Sequence, residues 1–291
     1  MTLDQLLYFQ AVCKYNGVSQ AAKHLNISQP SVSAAISKLE NEFGTMLFTR
    51  QSKRLTLTKE GTRLLELAND LLSRADNIAK TMQDLRNDRV LNLGIPPMLS
   101  SYILPILYGD FLKSHPDFKI NIVEDDRSGL MGLLEENKID MAFLPHDQPF
   151  DSRFHAKHLT ELANVCCVNR EHRLANKKTV KIQDLKDEPL VLFKNSFFQT
   201  ERILERFKQK ECAPNILLDT AQVSTVQNMA AKGLAAGVIF AFLLKTTPEL
   251  VGIPFDPPMY TQVSLVWKQG EYLSGNMNQL IGFFHNFSAC E

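Results

Sequence analysis

The stretch SQAAKHLNISQPSVSAAISKLE, residues 19–40, decides the reading of this chain. Ala21, Ala22 and Leu25 recur at helical spacing, and Asn26, a residue that tolerates the left-handed conformation, ends the run. Ser19 is expected to cap this helix, over residues 20–25. Ser28 then caps another at once. Pro30 falls in its first turn, where a missing N–H loses no hydrogen bond, and Val32, Ala35, Ile36, Leu39 and Phe43 make one apolar stripe that ends at Gly44. A helix over 2–15, with Leu3, Leu6, Leu7, Phe9 and Val12 on its apolar side, precedes both and stops at Asn16-Gly17. Two helices joined by a turn of about three residues, the first lined with alanines that allow close approach, describe a helix-turn-helix.

The outward face of the second of these helices carries Pro30, Ser33, Ala34, Ser37 and Lys38, with Gln29 and Ser31 at its N-terminal tip. Short polar side chains, in place of a salt-bridged Glu/Lys surface, suit insertion into a groove of double-stranded DNA. A three-helix cap whose polar face meets only water would show the same pattern. Residues 45–61, TMLFTRQSKRLTLTKEG, place two short strands, Leu47-Phe48 and 55–58, on either side of a basic turn. Arg50 and Lys53 would then ride on the tip of a wing and meet phosphates or the minor groove, unless the hairpin is an ordinary solvated one.

Outward from this head, the 291 residues predict about two domains at roughly 150 residues each. Apolar types at 44% and charged types at 22% exclude disordered, collagenous and fibrous classes. No run of 18 apolar residues occurs, and the start MTLDQLLYFQAV carries Asp4 where a signal peptide needs a basic segment, so a cytoplasmic protein with no membrane partner is expected. The five cysteines are odd in number and lack CxxC spacing, which predicts neither a disulfide framework nor a zinc site. His155 and His158 lack a third ligand at matching spacing, so no metal and no cofactor is expected. Charge is uneven: residues 1–58 sum to +3, 59–89 to zero and 90–291 to −3.

Between Thr58 and Asp88 there is no Pro, and Gly61 is the single Gly. Leu64, Ala68, Leu71, Ala75, Ile78, Met82 and Leu85 are spaced 4, 3, 4, 3, 4, 3, a heptad seam that calls for a partner helix and hence a homodimer. A long helix packed on its own domain would also carry such a row. Asn87-Asp88-Arg89 marks a hinge.

The head resembles the LysR-type transcriptional regulators. The words that carry the likeness are Leu3/Leu6/Phe9, Ser19/Ala21/Ala22/Leu25, Ser28-Gln29-Pro30/Ser33/Ile36/Leu39-Glu40, Leu47-Phe48/Arg50 and Leu57-Thr58/Gly61. Ala34 and Ser37 depart from the longer polar residues common in the family. The likeness implies an α/β protein: an N-terminal winged helix-turn-helix (1–58), a linker helix (59–89) pairing antiparallel with its partner's, and a two-lobed, periplasmic-binding-protein-like effector domain (90–291). By the same likeness, lobe one covers 90–162 and 266–291, lobe two covers 163–265, and the oligomer is a homotetramer. Leu93-Gly94, Leu104-Pro105, 140–142 and 172–175 are weaker words that extend it along the chain.

Within 90–291, strands are expected at 90–95, 119–123, 139–144, 164–168 and 190–193, and helices at 100–113, 128–137, 200–210 and 223–232. In open α/β lobes a ligand sits beyond the carboxyl ends of the strands. Ser100, Ser101, Ser128, Asn195 and Ser196 are therefore expected at helix starts that seat a small anionic effector, with Pro96 and Phe197 against its body; routine helix capping is the alternative. No GxGxxG, Walker loop, HExxH or Gly-x-Ser-x-Gly occurs, so the chain is read as a non-enzyme. Two other readings stay open: a thiol-based oxidant sensor using Cys166-Cys167 or Cys212, and a small-molecule-binding protein without DNA function.

Overall fold

The computed structural model describes residues 1–51, 54–84 and 90–285, apart from the side chains of 50, 51, 54, 80, 83, 84 and 285. The chain forms two compact units, Met1–Asn87 and Asp88–Glu291. No described helix is long and apolar enough to cross a membrane.

In the first unit, α1 (Leu3–Lys14), α2 (Val18–Leu25) and α3 (Gln29–Phe43) precede the wing strands β1 (Phe48–Gln51) and β2 (Arg54–Leu57) and the long α4 (Lys59–Asp84). Ser28 caps α3 by accepting from the Ser31 N–H at 3.2 Å. Asn26 closes α2 in the left-handed conformation at φ 54°, which turns the chain from α2 into α3 within three residues. Ser19 is not a cap. Gly17 occupies that position and Ser19 lies inside α2, where its hydroxyl donates to Gln29 Oε1 at 2.9 Å. Leu6, Phe9, Val12, Ala21, Val32, Ile36 and Leu39 fuse the three helices into one core that takes in Leu47 and Phe48 of the wing.

Glu40, on the last turn of α3, accepts from the N–H of Leu47 at 2.8 Å, so α3 itself pins the base of the wing. The wing is antiparallel, with Phe48 opposite Leu57 and Thr49 opposite Thr56. Thr58 then donates to the Met46 carbonyl at 2.8 Å and accepts from Gly61 N at 2.9 Å. Helix α4 leaves so close to this corner that a Cβ on Gly61 would collide with the Leu47 carbonyl.

The row along α4 divides in two. Ala68 is 1% exposed inside the core of its own head, with Leu64 packed beside it, so the N-terminal part of the expected seam is intramolecular. Farther along, Leu71 (41%), Ile78 (67%) and Met82 (56%) are bare, Leu67 joins them, and Ala75 is half-buried. Leu85 and the expected hinge at 87–89 lie outside the described residues.

The second unit runs β3 (Leu91–Ile95), α5 (Pro97–Ile106), a π turn (Leu107–Phe111), α6 (Leu112–Ser114), β4 (Ile120–Glu124), α7 (Arg127–Glu135), β5 (Met141–His146), β6 (Phe154–Asn169), a 3₁₀ turn (Ile182–Leu185), β7 (Pro189–Phe193), α8 (Phe198–Gln209), β8 (Asn215–Thr220), α9 (Val223–Ala231), β9 (Ala236–Phe240), a 3₁₀ turn (Ala241–Thr246), β10 (Leu250–Pro254), β11 (Tyr260–Lys268) and α10 (Gly275–His285). The strands follow one another in the order β4-β3-β5-β11-β6-β9-β7-β8, with β10 also on β6. In lobe one β3 pairs parallel with β4 and β5; in lobe two β7 pairs parallel with β8 and β9.

Two strands pass between the lobes. β6 pairs with β11 over Phe154 to Ala163, then with β9 and β10 over Asn164 to Asn169. β11 faces β5 already at Gln262, so the return to lobe one lies before 262 and not at the expected 266. The helix expected over 100–113 begins at Pro97, because Pro96-Pro97 supply a ready-made helix start, and it widens into the π turn after Pro105, which has no N–H to donate.

Gly61→Ala is expected to lower the stability of the head by about 2–4 kcal/mol, since the new methyl would meet the Leu47 carbonyl and crowd the Leu57 side chain. Thermal unfolding of the variant measures it, and a wild-type melting curve would mean that the corner between wing and α4 relaxes freely.

Candidate functional site

Two candidate surfaces stand out, one in each unit. On α3, Val32, Ile36 and Leu39 are buried, while Gln29, Pro30, Ser31, Ser33, Ala34, Ser37 and Lys38 are all exposed. The predicted outward face is therefore bare along its length. Gln29 is not loose on it: the Ser19 hydroxyl holds its Oε1 and leaves the amide nitrogen pointing away as a donor. Ser31 pairs its hydroxyl with that of Ser28 at 2.7 Å. Arg50 sits on β1 opposite Leu55, but its side chain, like all of Lys53, lies outside the described residues.

In the second unit a cavity of about 20 Å³, room for a group the size of a water molecule, lies between the lobes. Its walls come from the carboxyl ends of the parallel strands: Pro96, Met98 and Leu99 after β3, Asp126 and Arg127 after β4, Pro145 on β5, Phe197, Phe198 and Gln199 after β7, and Phe240 at the end of β9. Pro96 and Phe197 stand where the sequence expects them.

The five hydroxyl and amide residues do not line it. Each helix begins at a different residue from the one expected, with Pro96, Asp126 and Phe197 as N-caps. Ser100 thus falls within α5, buried, with its hydroxyl given to the Glu124 carboxylate. Ser101 is exposed and donates to the Met98 carbonyl at 3.3 Å. Ser128 is exposed on α7, whose cap is Asp126, accepting from Gly129 N at 2.9 Å. Asn195 and Ser196 are exposed in the turn before α8.

What the cavity does contain is a cation. Arg127 donates from Nε to the Pro145 carbonyl at 3.0 Å, and its guanidinium lies 5.8 Å from the ring centroids of both Phe150 and Phe198. Among the described residues no carboxylate pairs with it. The start of α8, capped by no side chain, adds the free N–H groups of its first turn. Behind this wall runs a buried polar chain. Gln199, 2% exposed, donates from Nε2 to Asn164 Oδ1, and Asn164 Nδ2 donates to Thr261 Oγ1 at 2.9 Å and to the Met259 carbonyl at 3.2 Å. Gln199 Oε1 has no partner. His146, near Arg127, gives its Nδ1 proton to the Gln148 carbonyl and accepts the Ser264 hydroxyl at Nε2, 2.8 Å away; burial holds it below its ordinary pKa of 6.5 and so neutral.

Arg127 and Gln199 are the residues that sequence reading missed. The signal was present: Arg127 lies three residues past the end of β4 and directly precedes Ser128, and Gln199 stands two residues after Phe197. Among the described residues no group of three His, Cys, Asp or Glu gathers as a metal site.

Cys13, Cys166 and Cys167 occupy unreactive places. Cys166 and Cys167 are successive residues of β6 and point to opposite faces, one into each of two separate cores. Burial pushes the Cys167 thiol up to about 12 and Cys166 higher still. Cys13 is pushed up to about 12 by burial in the head. Cys212 is half-buried with its thiol toward the Phe207 carbonyl, and Cys290 lies outside the described residues.

Residues 3–62 match the family model of the bacterial regulatory helix-turn-helix protein, lysR family, and residues 86–288 match the LysR substrate binding domain. The chain belongs to the LysR family. It is a LysR-type transcriptional regulator with an effector-binding domain. Among its relatives, the uncharacterized HTH-type transcriptional regulator YwbI of Bacillus subtilis is 27% identical over 281 residues, covering 94% of this chain and 92% of that protein. The hydrogen peroxide-inducible genes activator of Pectobacterium carotovorum is 25% identical over 288 residues, covering 96% and 94%. The solved structure of full-length CbnR complexed with its target DNA superposes with a TM-score of 0.57 at 21% identity, covering 98% of this chain and 99% of that one, a likeness of fold.

A thiol reagent such as Ellman's reagent is expected to leave Cys166 and Cys167 of the native regulator unmodified until denaturant is added, since the thiolate is the reactive form. Rapid labelling of either residue in the folded protein, read by mass spectrometry, would contradict their burial.

Proposed function

We propose that this regulator reads DNA with the exposed face of α3 and is switched by a small anion held between the lobes of its effector domain, in the cytoplasm and without catalysis of its own. The observation that carries the reading is the unpaired Arg127 on the wall of the interlobe cavity. A guanidinium flanked by two phenylalanine rings and by the uncapped start of α8 is an electrostatic seat for negative charge. That seat replaces the ring of serine and asparagine side chains expected from the sequence.

On the DNA side, Gln29, Ser31 and Ser33 at the tip of α3 are the base-reading candidates, Ala34 suits contact with a thymine methyl, and Pro30, Ser37 and Lys38 complete the face, with Lys38 toward phosphate. Arg50 and Lys53 on the wing would add backbone contacts. The bare residues Leu67, Leu71, Ile78 and Met82 of α4 support a homodimer through that helix, which would place two α3 helices on a two-fold operator, and pairs of such dimers would give a tetramer.

Oxidant sensing, which the name of the Pectobacterium relative suggests, is not favoured: the adjacent cysteines of β6 are buried and face different cores.

Binding of the protein to DNA flanking its own gene, followed with and without a panel of carboxylates and oxyanions, tests the reading. At least one anion should change affinity or footprint, and Arg127→Ala should abolish that response while DNA binding without the anion persists. A response carried by neutral or cationic compounds, or one untouched by Arg127→Ala, overturns it. Leu71→Asp places a charge on the bare face of α4 and should shift sedimentation toward monomer while the effector unit stays folded. An unchanged profile would remove α4 from the dimer interface.

A further inference from the structure

The unpartnered oxygen of Gln199 asks for something the anion reading does not supply. Its orientation is fixed by a chain of donors. The Met259 carbonyl can only accept, so Asn164 must turn its Nδ2 toward it and its Oδ1 toward Gln199. Oδ1 can only accept, so Gln199 must present Nε2 there. The remaining atom, Oε1, is an acceptor on a side chain 2% exposed; its residue belongs to the same lining as Arg127, and among the described residues the atom has no hydrogen-bond partner. Buried acceptors are almost always satisfied.

We propose that the effector is a small acid that carries, beside its carboxylate, a hydroxyl or ammonium group donating to Gln199 Oε1; this rests on the reading of the cavity as an anion seat. The carboxylate would lie toward Arg127 and the start of α8. The second group would complete the chain that runs through Gln199 and Asn164 to Thr261 of β11. An acid without that group would leave Oε1 buried and unpaired in the complex as well. Asp126, on the same wall, adds an acceptor that favours a donor-bearing ligand over a dianion.

Calorimetry on the full-length protein with propionate, lactate and alanine tests this, together with the homologous sets butyrate, 2-hydroxybutyrate and 2-aminobutyrate, and succinate, malate and aspartate. Members of a set share carbon skeleton and carboxylates and differ at one carbon by H, OH or NH₃⁺. In at least one set the hydroxy or amino acid should bind at least about tenfold tighter than the unsubstituted acid. Gln199→Leu, or Gln199→Met if the leucine variant does not fold, should erase that advantage, so that the members of a set bind alike. Equal binding within every set, lost together in Arg127→Ala, would overturn the donor requirement while the anion seat stands. An advantage that survives at Gln199→Leu would also overturn it. Failure of all nine acids to bind would sink the inference and the anion seat together.

Discussion

Everything in the effector unit turns on Asn164, because it stands where β6 changes partners. Before it the strand is bonded to β11 of lobe one; from it onward the strand is bonded to β9 and β10 of lobe two. Its main-chain N–H donates to the Met259 carbonyl at 2.8 Å, and its side-chain amide binds the same carbonyl and the Thr261 hydroxyl. The two crossing strands are therefore stitched together at the point where they leave one lobe for the other. A polar group as buried as this, at 2% exposure, is tolerated only when its bonds are made, so the crossing is a fixed register and the lobes must move, if they move, by bending the strands around it.

The helix-turn-helix was legible in the sequence because local chemistry and tertiary need agree there. Asn26 supplies the left-handed turn, Ser28 the cap and Pro30 the first turn, and the apolar stripe of α3 matches its buried side. The long strand β6 was legible only at its end. Residues 154–163 interleave His, Lys, Thr and Glu with Phe, Ala and Leu, the pattern of a strand with one wet face, and the charges hide it from a reading that looks for aliphatic runs. The cavity hydroxyls failed for a related reason. A serine near a helix start looks like a cap, yet proline and aspartate just upstream took the caps first, and a shift of two or three residues turns a side chain by most of a helical turn. The α4 row shows the limit of periodicity. Ala68 keeps the heptad spacing but is small, and its smallness serves close packing on the head.

The two halves of the protein handle charge in opposite ways. The exposed face of α3 has one cation, Lys38, among short neutral groups, so on the proposed reading phosphate contact and base reading would fall to different side chains. In the cavity a single guanidinium is instead enclosed by carbon, where its field is screened less than at the surface. His146 nearby stays neutral and adds no second charge, and Asp126 spends one oxygen on the cap of α7. A lone cation beside an aromatic wall discriminates by the shape of the ligand as well as by its sign.

Beside the apolar contacts that join the lobes in one buried cluster, such as Tyr102 with Phe242 at 5.1 Å between ring centroids, two charge-bearing links reach across the cleft. Arg202 of α8 pairs with Asp147, just after β5, at 2.7 Å, and both side chains are about one-third exposed. Such a pair contributes about 1 kcal/mol at most. The Arg127 guanidinium over Phe198 adds roughly 0.5–2 kcal/mol. The bond from Gln199 to Asn164 ties the start of α8 to the crossing strands. A ligand seated against Arg127 alone would act on the mouth of the cleft, whereas one that also engages Gln199 acts on the strands about which the lobes must bend.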